Sequence, residues 1–191
     1  MQPVLESPRL SLRPYALADA PEVQRLAGDA RVAETTTAIP HPYPDGAAAC
    51  WIAGHAAAFA NGEEVIYAIA LRRTGELVGT VSLFDVSHAD ARAELGYWVA
   101  VEHWGQGYCT EAVRVLMRFA QEHLKATRIV ARCMARNPAS ARVMEKAGLR
   151  REGLLPKHVC RNGVFEDMLL YGLVLPGRGD EVELHAPART A

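Results

Sequence analysis

Trp104-Gly-Gln-Gly-Tyr-Cys-Thr-Glu-Ala112 is the stretch on which the reading of this chain turns. It lies between an apolar run, Leu95 to Val101, and a helical pattern, Val113 to Leu124. Two glycines one residue apart, at the hand-over from strand to helix, predict a loop of free backbone N–H groups. Glycine has no Cβ, so the backbone can turn sharply there and approach a ligand closely. The first N–H groups of the next helix lack intrahelical partners and sit at the positive end of its dipole. Gly105, Gln106, Gly107, Tyr108, Cys109 and Thr110 together make a seat for phosphate. The same pattern also serves as a tight connection. It is neither a P-loop, for no Gly-Lys-Ser/Thr follows, nor the dinucleotide fingerprint, whose third glycine is absent.

Upstream, Arg9 to Arg13 alternates and predicts a strand with Leu10 and Leu12 inward. A helix follows from Ala20, capped by Asp19 and ended near Gly28. Asp29 to Pro44 is irregular and rich in Thr and Pro, a length of loop that is usually functional or mobile. A second helix is expected from about Ala47 to Ala60, stopped by Asn61-Gly62. Val65–Leu71, Leu77–Phe84 and Ala93–Val101 read as strands with turns between them.

Downstream, the helix after the glycine loop runs to about His123, and Arg128–Cys133 is a buried strand. Asn137-Pro138 opens another helix, an N-cap followed by proline at the first helical position. Glu152–Cys160 and Val164–Leu173 pair as a hairpin across Asn162-Gly163. The order predicts one α/β domain over 1–175, a mixed sheet with helices on both faces, and a loose tail over 176–191.

Composition narrows the class. Of 191 residues, 50% are apolar and 23% charged, as in an ordinary globular protein. The net charge of −1 gives no steering toward nucleic acid. No apolar run is long enough to span a bilayer, and the N-terminus shows no signal core, so a cytoplasmic location is expected. Cys50, Cys109, Cys133 and Cys160 form no Cys-x-x-Cys pair, so no metal and no disulfide framework is expected.

Five motifs in this order resemble the GCN5-related N-acetyltransferase (GNAT) family, and within it the Rim-type branch of ribosomal-protein N-terminal acetyltransferases. They are Ser7-Pro-Arg-Leu-Ser-Leu-Arg-Pro14, Ala93-Glu-Leu-Gly-Tyr-Trp98, the glycine loop, Asn137-Pro-Ala-Ser140 continuing to Glu145-Lys-Ala-Gly-Leu149, and the Asn162-Gly163 hairpin leading to Asp167 and Tyr171. The match spans about residues 7–174. It implies a mostly antiparallel seven-stranded sheet and acetyl transfer from acetyl-CoA to a primary amine. In the wider family the loop reads Arg/Gln-x-x-Gly-x-Gly/Ala; Trp104 takes the first place here and Cys109 the last. Many members carry a Tyr where Met144 stands, and Met cannot donate a proton to the leaving thiolate.

The resemblance assigns roles residue by residue. The pyrophosphate falls to Trp104 through Thr110, and the pantetheine arm to the exposed backbone of Val99, Ala100 and Val101 as an added strand. Glu94 is the candidate base. Period two puts it on one face with Gly96 and Trp98, where a carboxylate is costly unless used or paired with an Arg. Ser140 either donates to the sulfur or caps its helix locally. Asn137 caps the helix and, in the family, also contacts the cofactor. Arg142 meets a cofactor phosphate or is a solvated charge. Cys109, at a helix start that favours thiolate, reads as small packing beside the cofactor. His41, Tyr43, Trp51, Trp98 and His158 are candidate acceptor contacts, with Trp51 equally suited to the core. The Rim-type likeness favours a protein N-terminus as acceptor, and the chain itself is expected to be a monomer or homodimer. A polyamine or amine antibiotic, and a CoA-binding sensor without turnover, are the alternatives.

Overall fold

The computed structural model describes residues 1–176; the tail predicted over 176–191 lies almost wholly outside the described residues. Eight strands form one sheet in the order β1-β2-β3-β4-β5-β6-β8-β7. They are β1 Leu5–Glu6, β2 Leu10–Arg13, β3 Val65–Leu71, β4 Leu77–Ser87, β5 Arg92–Val99, β6 Arg128–Met134, β7 Arg150–Arg161 and β8 Val164–Val174. The eighth strand, beyond the seven expected, is β1. It is two residues long, pairs with Leu12 and Ser11, and is too short to show a periodicity.

Every strand pair is antiparallel except β5–β6. Their parallel pairing ends at Leu95–Ala131, yet β5 runs on to Val99 and β6 to Met134. Past Leu95 the two strands part, β5 staying on β4 and β6 on β8. This leaves a notch in the middle of the sheet.

Helices cover both faces. α5 (Tyr108–His123) and α6 (Pro138–Ala147) press Val113, Leu116, Phe119 and Met144 onto Leu12, Tyr67, Leu83 and Ile129. On the other face α1 (Ala20–Ala27) and α3 (Ala47–Ala53) bury Val23, Leu26 and Ile52 against Ala68 and Leu77. Between α1 and α3 lies one short turn, α2 (Ala30–Ala33). The single helix expected from Ala47 to Ala60 is broken at Gly54, and α4 (His55–Asn61) resumes after it. Glycine is the poorest helix former after proline, and here the helix divides at it.

Asp19 stands at the N-cap of α1 without a side-chain cap bond, its carboxylate accepting from Arg13 and Ala16 N–H, while other expected signals hold. Asn137 accepts from Ser140 N–H to cap α6, and Gly148 ends it at φ 102°. Asn162 and Gly163 both take positive φ between Arg161 and Val164, the pattern of a tight hairpin turn. Among the described residues no helix is long and apolar enough to cross a membrane.

Candidate active site

Gly105 and Gly107 adopt φ of +75° and +80°, a region costly for any residue with a Cβ. Gly107 is the N-cap of α5 and offers no side-chain cap, so the first amides of a sixteen-residue helix are left for a ligand. Arg9 fastens this loop from outside. Its Nη1 donates to Gln106 O at 2.9 Å and its Nε to Glu111 Oε2 at 2.6 Å, and its guanidinium lies 4.7 Å from the centre of the Tyr108 ring. Ser7 Oγ donates to the other Glu111 oxygen at 2.7 Å. Burial pushes the Glu111 carboxyl up, but the Ser7 and Arg9 donors outweigh it and hold it below its ordinary value. A negative charge in the first turn is thereby turned away from the open amides. Cys109 behaves as packing, since burial pushes its thiol well up.

The notch begins at the same place. Ala100 N–H donates to Val78 O at 2.8 Å, on the β4 side. Alternation along an antiparallel strand then aims the N–H groups of Tyr97 and Val99 into the notch. Of the expected edge of Val99, Ala100 and Val101, the middle residue faces away from the notch. Ala100 spends its amide on β4, and Val101 opens a 3-10 turn, Val101–His103. Tyr97 and Val99 face the notch with their backbone, and Val99 O accepts from Trp104 Nε1 at 2.7 Å.

On the α1/α3 face of the sheet the notch opens into a cleft of about 690 Å³. Thr80, Ser82 and Phe84 of β4 and Glu94, Gly96 and Trp98 of β5 line it, as period two requires. A Cβ at Gly96 would stand 2.9 Å from Phe84 Cε1 and 3.1 Å from Ser82 Oγ, so glycine keeps this floor open. Glu94, only 8% exposed, accepts from Arg132 Nε and Nη2 at 2.8 Å each. The pairing with an Arg is therefore present, and it lies inside the cleft. Arg132 Nη1 is 2.9 Å from His158 Nε2. Arginine only donates, so Nε2 accepts this bond.

Tyr97 and Ser140 meet where notch and cleft join. The phenol donates to Ser140 O at 3.0 Å and lies 2.9 Å from Ser140 Oγ. Burial pushes this phenol far up, so it stays protonated. Ser140 N–H donates to Asn137 Oδ1 at 3.0 Å, so the hydroxyl is not needed to cap α6. Met144 is 1% exposed and belongs to the core. Tyr97 brings the phenol that position 144 lacks, and period-two reading of β5 gave no sign of its partner.

The loop before α3 roofs the cleft with Thr35 to Pro40. Three donors from the far half of the chain hold it down. Arg136 Nη2 reaches Glu34 O at 3.0 Å, Asn137 Nδ2 reaches Thr35 O at 3.4 Å, and Arg161 Nη2 reaches Ile39 O at 2.8 Å. Tyr43, Trp51, Trp98 and His158 all line the cleft. Trp51 is a wall rather than core: it is 36% exposed and edge-on to Tyr15 and His55. His41 is not brought to the cleft. It turns to Gly28 O at 3.1 Å and lines a separate surface hollow with Pro21 and Gln24. Arg142 is exposed on α6 and makes no hydrogen bond or ion pair among the described residues.

A family model described as an acetyltransferase (GNAT) domain matches residues 9–150. The chain belongs to the GNAT family. The uncharacterized N-acetyltransferase YoaA of Bacillus subtilis is 30% identical over 92% of this chain and 99% of its own length. The probable N-acetyltransferase YjcK of the same organism is 41% identical over 60% of this chain and 64% of its own. The Escherichia coli ribosomal-protein-serine acetyltransferase is 30% identical over 52% and 56%. The chain thus spans less than two thirds of the length of several relatives it matches. Among solved structures, Mycobacterium smegmatis RimJ in complex with CoA-disulfide superposes with a TM-score of 0.78 at 27% identity, over 86% of this chain and 81% of that one.

GNAT membership carries acetyl-CoA as the cofactor, and the residues present fit it. The uncapped start of α5 offers N–H donors to the diphosphate, and the notch-facing amides of Tyr97 and Val99 offer a strand edge to an amide-bearing arm. The notch leads from there to Glu94 and Ser140.

Proposed function

We propose that this GNAT protein, as one domain over residues 1–175, acetylates a protein N-terminal α-amine. The observation that carries this reading is the notch, which joins a phosphate seat on one side of the sheet to a roofed cleft on the other. The Rim-type relatives support the choice of acceptor. Bound acetyl-CoA supplies the thioester that is attacked and the thiol that departs.

The chain's own residues do the rest. An N-terminal amine has a pKa near ~8, so at neutral pH most of it must lose a proton before it can attack. Glu94 takes that proton, directly or through a water. Arg132 uses one lone pair on each oxygen, and each carboxylate oxygen keeps another for the amine. Arg132 also fixes the carboxylate plane, and His158 holds Arg132. At the other end Ser140 points its hydroxyl at the leaving sulfur, and the Tyr97 phenol behind it turns its one proton from Ser140 O to Ser140 Oγ. The roof over the cleft limits water at the reacting atoms.

Release of free thiol from acetyl-CoA, followed with unblocked peptides, with the same peptides N-acetylated, and with small amines, tests the reading. Turnover only with unblocked peptides is expected. Turnover confined to polyamines or an amine antibiotic would replace the acceptor, and cofactor binding with no turnover would make the protein a sensor.

A further inference from the structure

We propose that Glu64 reads a second positive charge on the acceptor, about 10 Å from the amine that reacts. The proposal rests on the reading of the cleft as the acceptor site. Glu64 immediately precedes β3, whose Val65 and Ile66 stand opposite Leu83 and Ser82 of β4. Extending that register sets Glu64 in the row of Phe84, and Phe84 stands opposite Glu94. Glu64 and Glu94 are therefore two strand spacings apart, about 10 Å. Alternation puts Glu64 on the face of Ile66, and both line the cleft.

The charges in the cleft are unevenly matched. Glu94 is bound on both oxygens by Arg132. Arg132 and His158, which bond to each other, are the basic side chains lining the cleft among the described residues. Glu64 is half-buried and makes no side-chain hydrogen bond or ion pair among the described residues. A carboxylate partly withdrawn from water without a partner favours an arriving cation. The same cleft offers the ring faces of Trp51 and Phe84, which also suit a cation. An extended peptide advances ~3.4 Å per residue, so a lysine or arginine in the second or third position reaches Glu64. A diamine of matching length presents the same chemistry.

The test uses the full chain and peptides differing only by Lys or Glu at positions two and three. The wild type should favour the Lys peptide about fivefold in kcat/KM, chiefly through KM, as a partly screened ion pair allows. Glu64→Gln should erase the preference and Glu64→Lys invert it, with coenzyme A affinity unchanged. Calorimetry of the same peptides on protein saturated with coenzyme A, which cannot react, reads the preference without turnover.

A wild type indifferent to peptide charge in both measurements, or a preference that survives in Glu64→Gln, overturns the proposal. Peptides that bind by charge through Glu64 yet are never acetylated leave it standing while the N-terminal reading falls. Acetylated peptides without charge preference give the reverse. A Glu64-dependent preference for diamines over monoamines and peptides upholds the second cation and moves its source to small amines.

Discussion

Replacing Glu94 by glutamine keeps the side chain's size and removes its charge. In the structure both oxygens accept from Arg132 at 2.8 Å, and the carboxylate is almost wholly buried. An amide can accept at one place only and turns its NH2 toward the guanidinium, so one charge-assisted bond is lost. Such bonds contribute ~1.5–3 kcal/mol when shielded. Arg132 is 35% exposed at its side chain, and solvent reduces the figure to about 1–2 kcal/mol. For a chain of this size that is about 3–6 °C in Tm, too little to unfold the protein at assay temperature.

The kinetic effect should be larger. A positioned base contributes ~10²–10⁴-fold. The acceptor amine, with a pKa near ~8, is about one tenth neutral at pH 7 and about nine tenths at pH 9. Glu94→Gln should therefore lose about 10²-fold in kcat at pH 7 and recover about tenfold of it by pH 9, where the amine arrives deprotonated. Stopped-time thiol release across pH 7–9, with coenzyme A binding measured alongside, reads both. A variant with wild-type turnover at pH 7 would remove Glu94 from the chemistry. A loss that stays constant with pH would make its role structural.

Three further outcomes are expected. Gly107→Ala should cost about 1 kcal/mol from the left-handed backbone alone, because a Cβ there meets only Arg9 Nη2 at an ordinary 3.5 Å; calorimetry should show coenzyme A affinity about tenfold weaker, and an unchanged affinity would contradict the phosphate seat. Tyr97→Phe should lower kcat about tenfold with KM for the acceptor unchanged, since it removes the donor behind Ser140 and leaves the ring in place; a shift in KM alone would refute that role. His55 is buried without a partner for either ring nitrogen, and burial pushes it down to about 4. The unfolded chain takes up that proton first, so stability should fall as pH drops from about 6.5 toward 4, by at most ~1.4 kcal/mol per pH unit. Thermal melts of His55→Phe should lose this component of the acid sensitivity, and parallel curves for variant and wild type would disprove it.

Much of this was legible in the sequence because it is local. The glycine loop, the Asn137 cap and the Asn162-Gly163 turn each declare themselves within a few residues, and each stands where it was expected. What was hidden depends on residues far apart. Glu94 and Arg132 are 38 positions apart, and their pairing follows from a parallel register that no short pattern encodes. Tyr97 is one residue of a predicted strand, and its contact with Ser140 needs α6 to dock beside the notch. Alternation alone carried the strand on to Val101; β5 ends at Val99 because the chain turns into the 3-10 turn Val101–His103. His41 was grouped with the acceptor residues because its loop roofs the cleft, yet the loop turns that one side chain outward to Gly28.

The central claim is that the open amides of α5 and the parting of β5 from β6 place the cofactor's reactive end beside Glu94. A crystal structure of the protein with coenzyme A tests this most directly. The diphosphate should lie within about 3 Å of N–H groups between Gly105 and Thr110, and the arm should run along Tyr97 to Val99 with its sulfur at Ser140. Coenzyme A bound elsewhere, or held at the loop with its sulfur turned away from the cleft, would contradict the account.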